Sequence, residues 1–221
     1  MEKTMKATAI NGSPRKRGNS SILLQCATEG VESVGAEVNT IHLYDLNFRG
    51  CISCFACKRK ETYQMGRCAV RDDLTPVLEA AMASDVLLMA SPIYLSDVSA
   101  AMRAFWERLI FMNAAYDDNM TAFKGSITCG VIYTMNVTEE MMKKWNYPAM
   151  FETHIGFLKV LGGKTEYAVS NDTYQFDDYS KYHAPIFDEV HKAKIRTEQF
   201  PKDCEAAFHM GARLAGGKEK R

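Results

Sequence analysis

The run "DVLLMASP", residues 85–92, constrains this chain more than any other stretch. Its apolar residues are continuous rather than alternating, and it stops at a proline. A strand covered on both faces reads this way, and such strands belong in parallel sheets packed between helices. "SITCGVIYT", 126–134, repeats the pattern, and shorter strand-like runs lie at 6–11, 37–43 and 165–170. Helical stripes fall between them. Leu23, Ala27, Val31 and Val34 share one face over 19–34. Leu74, Val77, Leu78 and Ala81 do so over 73–83, and Met102, Phe105, Trp106 and Leu109 after Ser99. A helical stretch over 139–161 breaks near Pro148 and stops at Gly162-Gly163. A last helix runs from about Lys202 to Leu214 with Ala207, Met210 and Leu214 inward, and "GGKEKR" reads as a frayed tail.

Five strands alternating with helices predict one α/β domain over residues 1–221, a doubly wound parallel sheet with helices on both faces. In such sheets ligands sit beyond the carboxyl ends of the strands. Chemistry is therefore expected in the loops after residues 11, 43, 91 and 134. Other classes recede on composition. Lys+Arg and Asp+Glu both number 27, so no global field favours nucleic acid or an anionic membrane. No apolar run approaches the ~20 residues that span a bilayer. "MEKTMKATAING" lacks the features of a secretory leader, so the expectation is a cytoplasmic, reducing setting. Seven cysteines, an odd count, fit a fully paired disulfide framework poorly.

The first loop is "NGSPRKRGNSS", residues 11–21. Gly12 and Gly18 allow a tight turn, Ser13, Ser20 and Ser21 supply hydroxyls, and Asn19 supplies an amide. A helix begins beside them, and its free N–H groups make an anion site. Arg15 can fork onto phosphate oxygens. The alternative is a capped Gly/Pro/Ser turn with a solvated basic tip. Asn19-Ser20 after Gly18 does not match the Lys-Ser/Thr of a nucleoside-triphosphate loop. Two glycines six apart do not make a dinucleotide fingerprint, which leaves Asp45 a weak ribose ligand. A phosphate monoester such as that of FMN suits the loop best.

The third loop opens "SPIYLSDVSAAMRAFWERL", 91–109. Pro92 stiffens it, Ile93, Tyr94 and Leu95 can cover a planar heterocycle, and Ser99 is placed to cap the next helix. Thr134, Met135 and Asn136 occupy the equivalent rim after the fourth strand. Methionines 135, 141, 142 and 150 either line an adaptable pocket or fill core.

These two loops together resemble the NAD(P)H-dependent FMN reductases of flavodoxin-like fold, over roughly residues 6–134. The branch with a cysteine-rich second loop includes the iron–sulfur flavoproteins. The resemblance implies a five-stranded sheet in the order 2-1-3-4-5. It implies FMN with its phosphate on Ser13, Arg15, Asn19, Ser20 and Ser21, and its ring against Pro92, Ile93, Tyr94 and Leu95, near Thr134 and Met135. It also implies NADPH or NADH as co-substrate and a homodimer or homotetramer.

The second loop, "GCISCFACKRKETYQMGRC", holds Cys51, Cys54, Cys57 and Cys68. The first three follow the C-x2-C-x2-C opening of a four-iron ferredoxin run. The fourth follows after ten residues, where the iron–sulfur flavoproteins have a short gap. If a 4Fe-4S cluster is held, these four are its ligands; if not, the basic gap serves as a lid or subunit contact. The spacing weighs toward the metal-free loop. Zinc is less favoured, and Lys58, Arg59 and Lys60 would also suit thiol redox chemistry. Cys51, Cys54 and Cys57 are expected together at the carboxyl edge, on the flavin side. Cys26, Cys129 and Cys204 read as buried small hydrophobes.

The functional expectation is an FMN-dependent oxidoreductase carrying electrons from NAD(P)H to a small-molecule acceptor, with no protein acid or base evident. The alternatives are an electron carrier serving a ferredoxin-like partner and a redox-sensing flavin module.

Overall fold

The computed structural model describes residues 4–59 and 66–216. β1 (Lys6–Asn11) leads to α1 (Asn19–Glu32), β2 (Glu37–His42) and α2 (Leu74–Met82). β3 (Val86–Tyr94) and the short β4 (Asp97–Val98) precede α3 (Ala100–Asn113) and β5 (Ile127–Thr134). α4 (Glu139–Lys144), α5 (Tyr147–Leu158), β6 (Gly162–Ser170), α6 (Glu189–Glu198) and α7 (Phe200–Leu214) follow. Five strands pair in parallel in the order β2-β1-β3-β5-β6, the expected doubly wound, flavodoxin-like order. The sheet has a sixth strand that the sequence did not disclose. β4 folds back antiparallel on β3 through Ile93↔Val98 and Tyr94↔Asp97, with Leu95 and Ser96 in left-handed conformations at the tip.

Each face of the sheet has its own core. Leu74, Val77, Leu78, Met102, Phe105, Trp106, Leu109 and Phe151 pack one face with α2, α3 and α5. Leu23, Ala27, Val31, Ala207, Met210 and Leu214 pack the other with α1 and α7. α1 and α7 meet backbone to backbone: a Cβ on Gly30 would lie 2.0 Å from the Phe208 carbonyl, and one on Gly211 the same distance from that of Ala27. Val34, inside the helix predicted over 19–34, lies beyond the observed α1 and is exposed, because α1 stops at Glu32 and Gly35 turns the chain at φ 89°. The break in the 139–161 stretch lies at Trp145-Asn146, where Asn146 is left-handed, and Pro148 sits in the first turn of α5. Gly162-Gly163 begin β6 instead of only ending a helix. α6 was not foreseen: its one buried residue is Lys192.

Cys129 is buried, whereas Cys26 and Cys204 are partly exposed along α1 and α7. Burial and the neighbouring Cys26 thiol push Cys204 up to about 12. No helix among the described residues is long and apolar enough to cross a membrane. The predicted tail, 215–221, lies mostly outside the described residues, as does most of the basic gap after Cys57.

Candidate functional site

A cavity of about 960 Å³ opens at the carboxyl edge of the sheet. That lies at the upper end of the ~300–1,000 Å³ usual for small-molecule sites. One pole is built by the loop between β1 and α1. Gly12 must be glycine-like here, since a Cβ would meet Met102 at 2.9 Å. The Ser13 amide donates to the Asn11 side chain (2.8 Å), and the Arg15 amide to the Ser13 hydroxyl (3.2 Å), which coils the loop over the start of α1. Gly18, the residue before α1, offers no side-chain cap, and the first turn holds no acid. Its amides therefore face the cavity with their partial positive charge unspent. Ser13, Arg15, Arg17, Gly18, Asn19 and Ser20 line this pole.

The second pole lies between the ends of β3 and β5, where Pro92 pairs opposite Thr134. Pro92, Ile93, Tyr94 and Leu95 form one wall, and Thr134, Met135 and Asn136 form another. Thr134 and Ser20 hydroxyls bond at 2.7 Å and tie the two poles together. Burial pushes the Tyr94 phenol up, and the Arg15 charge pulls the other way. Ser99 caps α3 by accepting from the Met102 amide at 3.3 Å, and donates to the Gly12 carbonyl at 2.5 Å. The start of α3 is thus fastened to the loop between β1 and α1.

Of the expected site residues, Ser21 is not brought to the cavity wall. Its hydroxyl donates to the Arg15 carbonyl (2.8 Å) and accepts from the Asn11 amide (2.7 Å), so it shapes the loop from behind. Of the four methionines, Met135 lines the cavity; Met142 is buried in the core and Met150 packs against it.

The outer wall was missed in the sequence. The chain after β6 forms a strap whose Thr173, Tyr174, Gln175, Phe176, Asp177 and Tyr182 line the cavity. Arg15 donates to the Gln175 carbonyl (2.5 Å) and Asn19 to that of Tyr174 (2.8 Å). Phe176 and Tyr182 stack at 4.0 Å and 11°. Lys192 of α6 pins the strap's base: buried, it donates to Asp172 and to the Asn136 carbonyl (2.6 Å). A Tyr/Asp-rich loop with no periodicity carries no local signal for such a wall. Its only hint was the aromatic density of 174–187.

The cysteine loop goes elsewhere. It leaves the carboxyl edge after β2 and runs back along α3. The Cys51 amide donates to Glu107 (3.2 Å), and Lys58 donates to the Phe111 (2.5 Å) and Ala114 carbonyls at the end of that helix. Cys51, Cys54, Cys57 and Cys68 do come together around one small cavity with Phe55, Val70, Arg108, Phe111 and Met112. They share no lining residue with the large cavity and gather against the side of α3 instead of on its wall. The space they enclose is about 20 Å³, and no three His, Cys, Asp or Glu among the described residues are gathered to hold a metal. The donor set, four thiols lining one space, has the chemistry of a cluster site, although the space between them is small as it stands. Lys58 bonded at the end of α3 and Phe55 edge-on to Phe111 at 5.8 Å spread the loop along the helix.

The small cavity holds one buried cation, Arg108, paired with Asp72. Arg108 is buried and donates to Asp72 (2.6 Å) and to the Val70 carbonyl (2.9 Å). Its Nε has no hydrogen-bond acceptor among the described residues. Burial works against its charge, yet Asp72 and the Cys68 thiol beside it hold the guanidinium protonated. Burial pushes the Cys57 thiol up, against the pull of Lys58, with Cys68 and Cys51 adding to the rise.

Three comparisons bear on this arrangement. An iron–sulfur flavoprotein of Archaeoglobus fulgidus is 37% identical over 106 residues, 48% of this chain and 46% of that protein. An iron–sulfur flavoprotein of Methanocaldococcus jannaschii is 33% identical over 104 residues, 47% and 51% respectively. The match thus spans about half the length of each curated relative. Among solved structures, the NAD(P)H:quinone oxidoreductase from Methanothermobacter marburgensis superposes with a TM-score of 0.68 at 18% identity, covering 96% of this chain and 98% of that one, a likeness of fold. The model of the family described as NADPH-dependent FMN reductase matches residues 5–154, more than half of the chain and both poles of the cavity except its strap, and the chain belongs to that family.

Proposed function

We propose that the chain is an FMN-dependent oxidoreductase that takes reducing equivalents from NADH or NADPH and delivers them to a second small-molecule acceptor such as a quinone or free flavin. The carrying observation is the union of two poles in one cavity: a hydroxyl- and arginine-lined helix end, and a flat-walled slot between Pro92–Leu95 and Thr134–Met135. Ser13, Asn19, Ser20, the first-turn amides of α1 and Arg15 hold the phosphate of FMN. Pro92, Ile93, Tyr94 and Leu95 cover the ring, with Thr134 and Met135 at its rim. Bound FMN supplies two-electron exchange with a nicotinamide and with an acceptor. The protein supplies position and access. No His, Lys or Glu lines the cavity among the described residues, and its one acid, Asp177, is exposed, so we assign no protein acid or base. The mouth beside Tyr182, Phe176 and Leu95 admits nicotinamide and acceptor in turn.

The test is an anaerobic stopped-flow experiment on flavin-loaded protein. NAD(P)H should bleach the flavin band, and added quinone should restore it. Reduction by a ferredoxin-type donor, but by neither pyridine nucleotide, would favour the electron carrier instead.

That second reading rests on the four thiols around one cavity beside a buried arginine with an open Nε. If the loop closes on a cluster, iron and sulfide co-purify anaerobically, and Cys54→Ala loses both while keeping FMN. Iron-free anaerobic protein leaves the loop as a thiol-bearing surface segment.

A further inference from the structure

α5 passes behind the ring slot and carries a histidine that the proposed chemistry does not use. His154 is only 3% exposed, yet both ring nitrogens have partners. Nε2 lies 3.1 Å from Asp97 Oδ1, and Nδ1 lies 3.2 Å from the Tyr133 hydroxyl. A carboxylate only accepts, so Nε2 carries the proton and Nδ1 accepts from Tyr133. The edge of Trp106 closes the ring at 4.8 Å and 66°. Burial holds His154 below the ordinary histidine range; Asp97 opposes this and Arg103 reinforces it.

The two partners define the slot. Tyr133 precedes Thr134 at the end of β5, and Asp97 begins β4, the returning arm of the hairpin that carries Tyr94 and Leu95. Pairing between β3 and β5 ends at Pro92↔Thr134, so the hairpin beyond it has no ladder to hold its angle. β4 is two residues long, and Leu95 and Ser96 are both left-handed, at φ 50° and 66°. Isolated two-stranded hairpins are marginal in water. Besides its own short pairing, this one is held from α5, through His154 to Asp97 and through the Ser96 hydroxyl to Tyr147 (3.1 Å). Asp97 also accepts from the Val98 amide at 2.7 Å, a bond within the hairpin, and faces Arg103 of α3 at 3.7 Å, while the Val98 side chain is buried in the core.

We propose that His154 is a positioning residue for the ring end of the cavity: its imidazole, bonded at both nitrogens, fixes the hairpin bearing Tyr94 and Leu95 against the end of β5. The proposal deepens the FMN reading, since the slot it holds is the one assigned to the ring. It also makes a claim about the empty hairpin that stands without any flavin.

The experiment compares wild type, His154→Phe and His154→Gln. Hydrogen exchange on flavin-free protein comes first. His154→Phe should speed exchange of the Tyr94 and Val98 amides about tenfold or more and leave β1 amides unchanged; His154→Gln, which keeps a donor for Asp97, should fall between. Riboflavin and FMN titrations come second. Riboflavin lacks the phosphate and depends on the ring end alone. His154→Phe should weaken riboflavin and FMN by similar factors, about tenfold, and alter the visible circular dichroism of bound flavin. A fall in melting temperature with hairpin exchange and bound-flavin dichroism unchanged would overturn the proposal, because a purely structural histidine predicts that result. Faster hairpin exchange in His154→Phe, together with a wild type that binds neither riboflavin nor FMN, would instead sink the FMN reading and leave the positioning role standing.

Discussion

The two cavities are made by opposite means. The large one sits where strands end and is walled by loop backbone, hydroxyls and arginines, with a helix end pointing in. The small one lies along the side of α3 and is walled by aromatic and aliphatic side chains, four thiols and one buried guanidinium. The first is polar and wide enough for a ligand as it stands. The second is nearly closed, and its polar groups answer mostly to each other. A site built on strand ends needs only glycines and small polar residues at the right place, and the fold does the rest. A site built against a helix side must be held by side chains, so its shape follows whatever tethers the loop, here Lys58 and Phe55.

Four substitutions or conditions should separate the regions. Arg108→Met removes one partner of a buried pair and leaves Asp72 uncompensated, which should cost about 3–5 kcal/mol in denaturant unfolding. FMN affinity of the surviving folded fraction should stay the same; a matching loss of affinity would show that the cavities are coupled. Arg15→Ala should do the reverse, weakening FMN by about 1.5–3 kcal/mol, the scale of a charge-assisted bond, with the melting temperature unmoved because Arg15 is exposed. Unchanged affinity would refute the phosphate assignment. Ser99→Ala loses the cap of α3 and its bond to the Gly12 carbonyl, and should lower stability by about 1 kcal/mol. The shallowest effect concerns pH. Burial lowers the folded pKa of His154, so the unfolded chain takes up a proton first as pH falls. Stability from this group is complete above the ordinary histidine pKa and is lost as pH drops from there toward the folded value. His154→Phe should flatten that part of the stability–pH curve.

The sheet and the two polar loops were legible because their signals are local. "DVLLMASP" is buried on both faces however the rest folds, and Gly12, Ser13 and Gly18 name a tight polar turn wherever it is placed. β4 was not legible: two residues carry no period, and its existence rests on the left-handed Leu95-Ser96 turn. α6 hides because its inward residue is a lysine paired to Asp172, which reads as a solvated face in any pattern of apolar residues. The cysteine spacing grouped Cys51, Cys54 and Cys57 and left Cys68 open, whereas in the structure all four line one cavity. The spacing could not show which way the loop runs, since that depends on Lys58 finding carbonyls more than fifty positions away. Ser21 was assigned to the phosphate for its neighbourhood, but one step along a helix turns a side chain by about 100° and takes it off the wall.

The strap has a consequence for how this molecule can vary. Its cavity-lining residues, 173–182, lie wholly after the stretch that matches the family, 5–154, yet they touch the same two side chains, Arg15 and Asn19, that face the phosphate pole. Both contacts are made to strap carbonyls, which every residue type possesses. At these two points the docking does not depend on the strap's sequence, whereas Asp172, Thr173 and Gln175 hold its base through side chains, and the stacked Phe176 and Tyr182 lie beyond them. A common socket paired with a replaceable faceplate can change what approaches the cofactor without rebuilding what holds it.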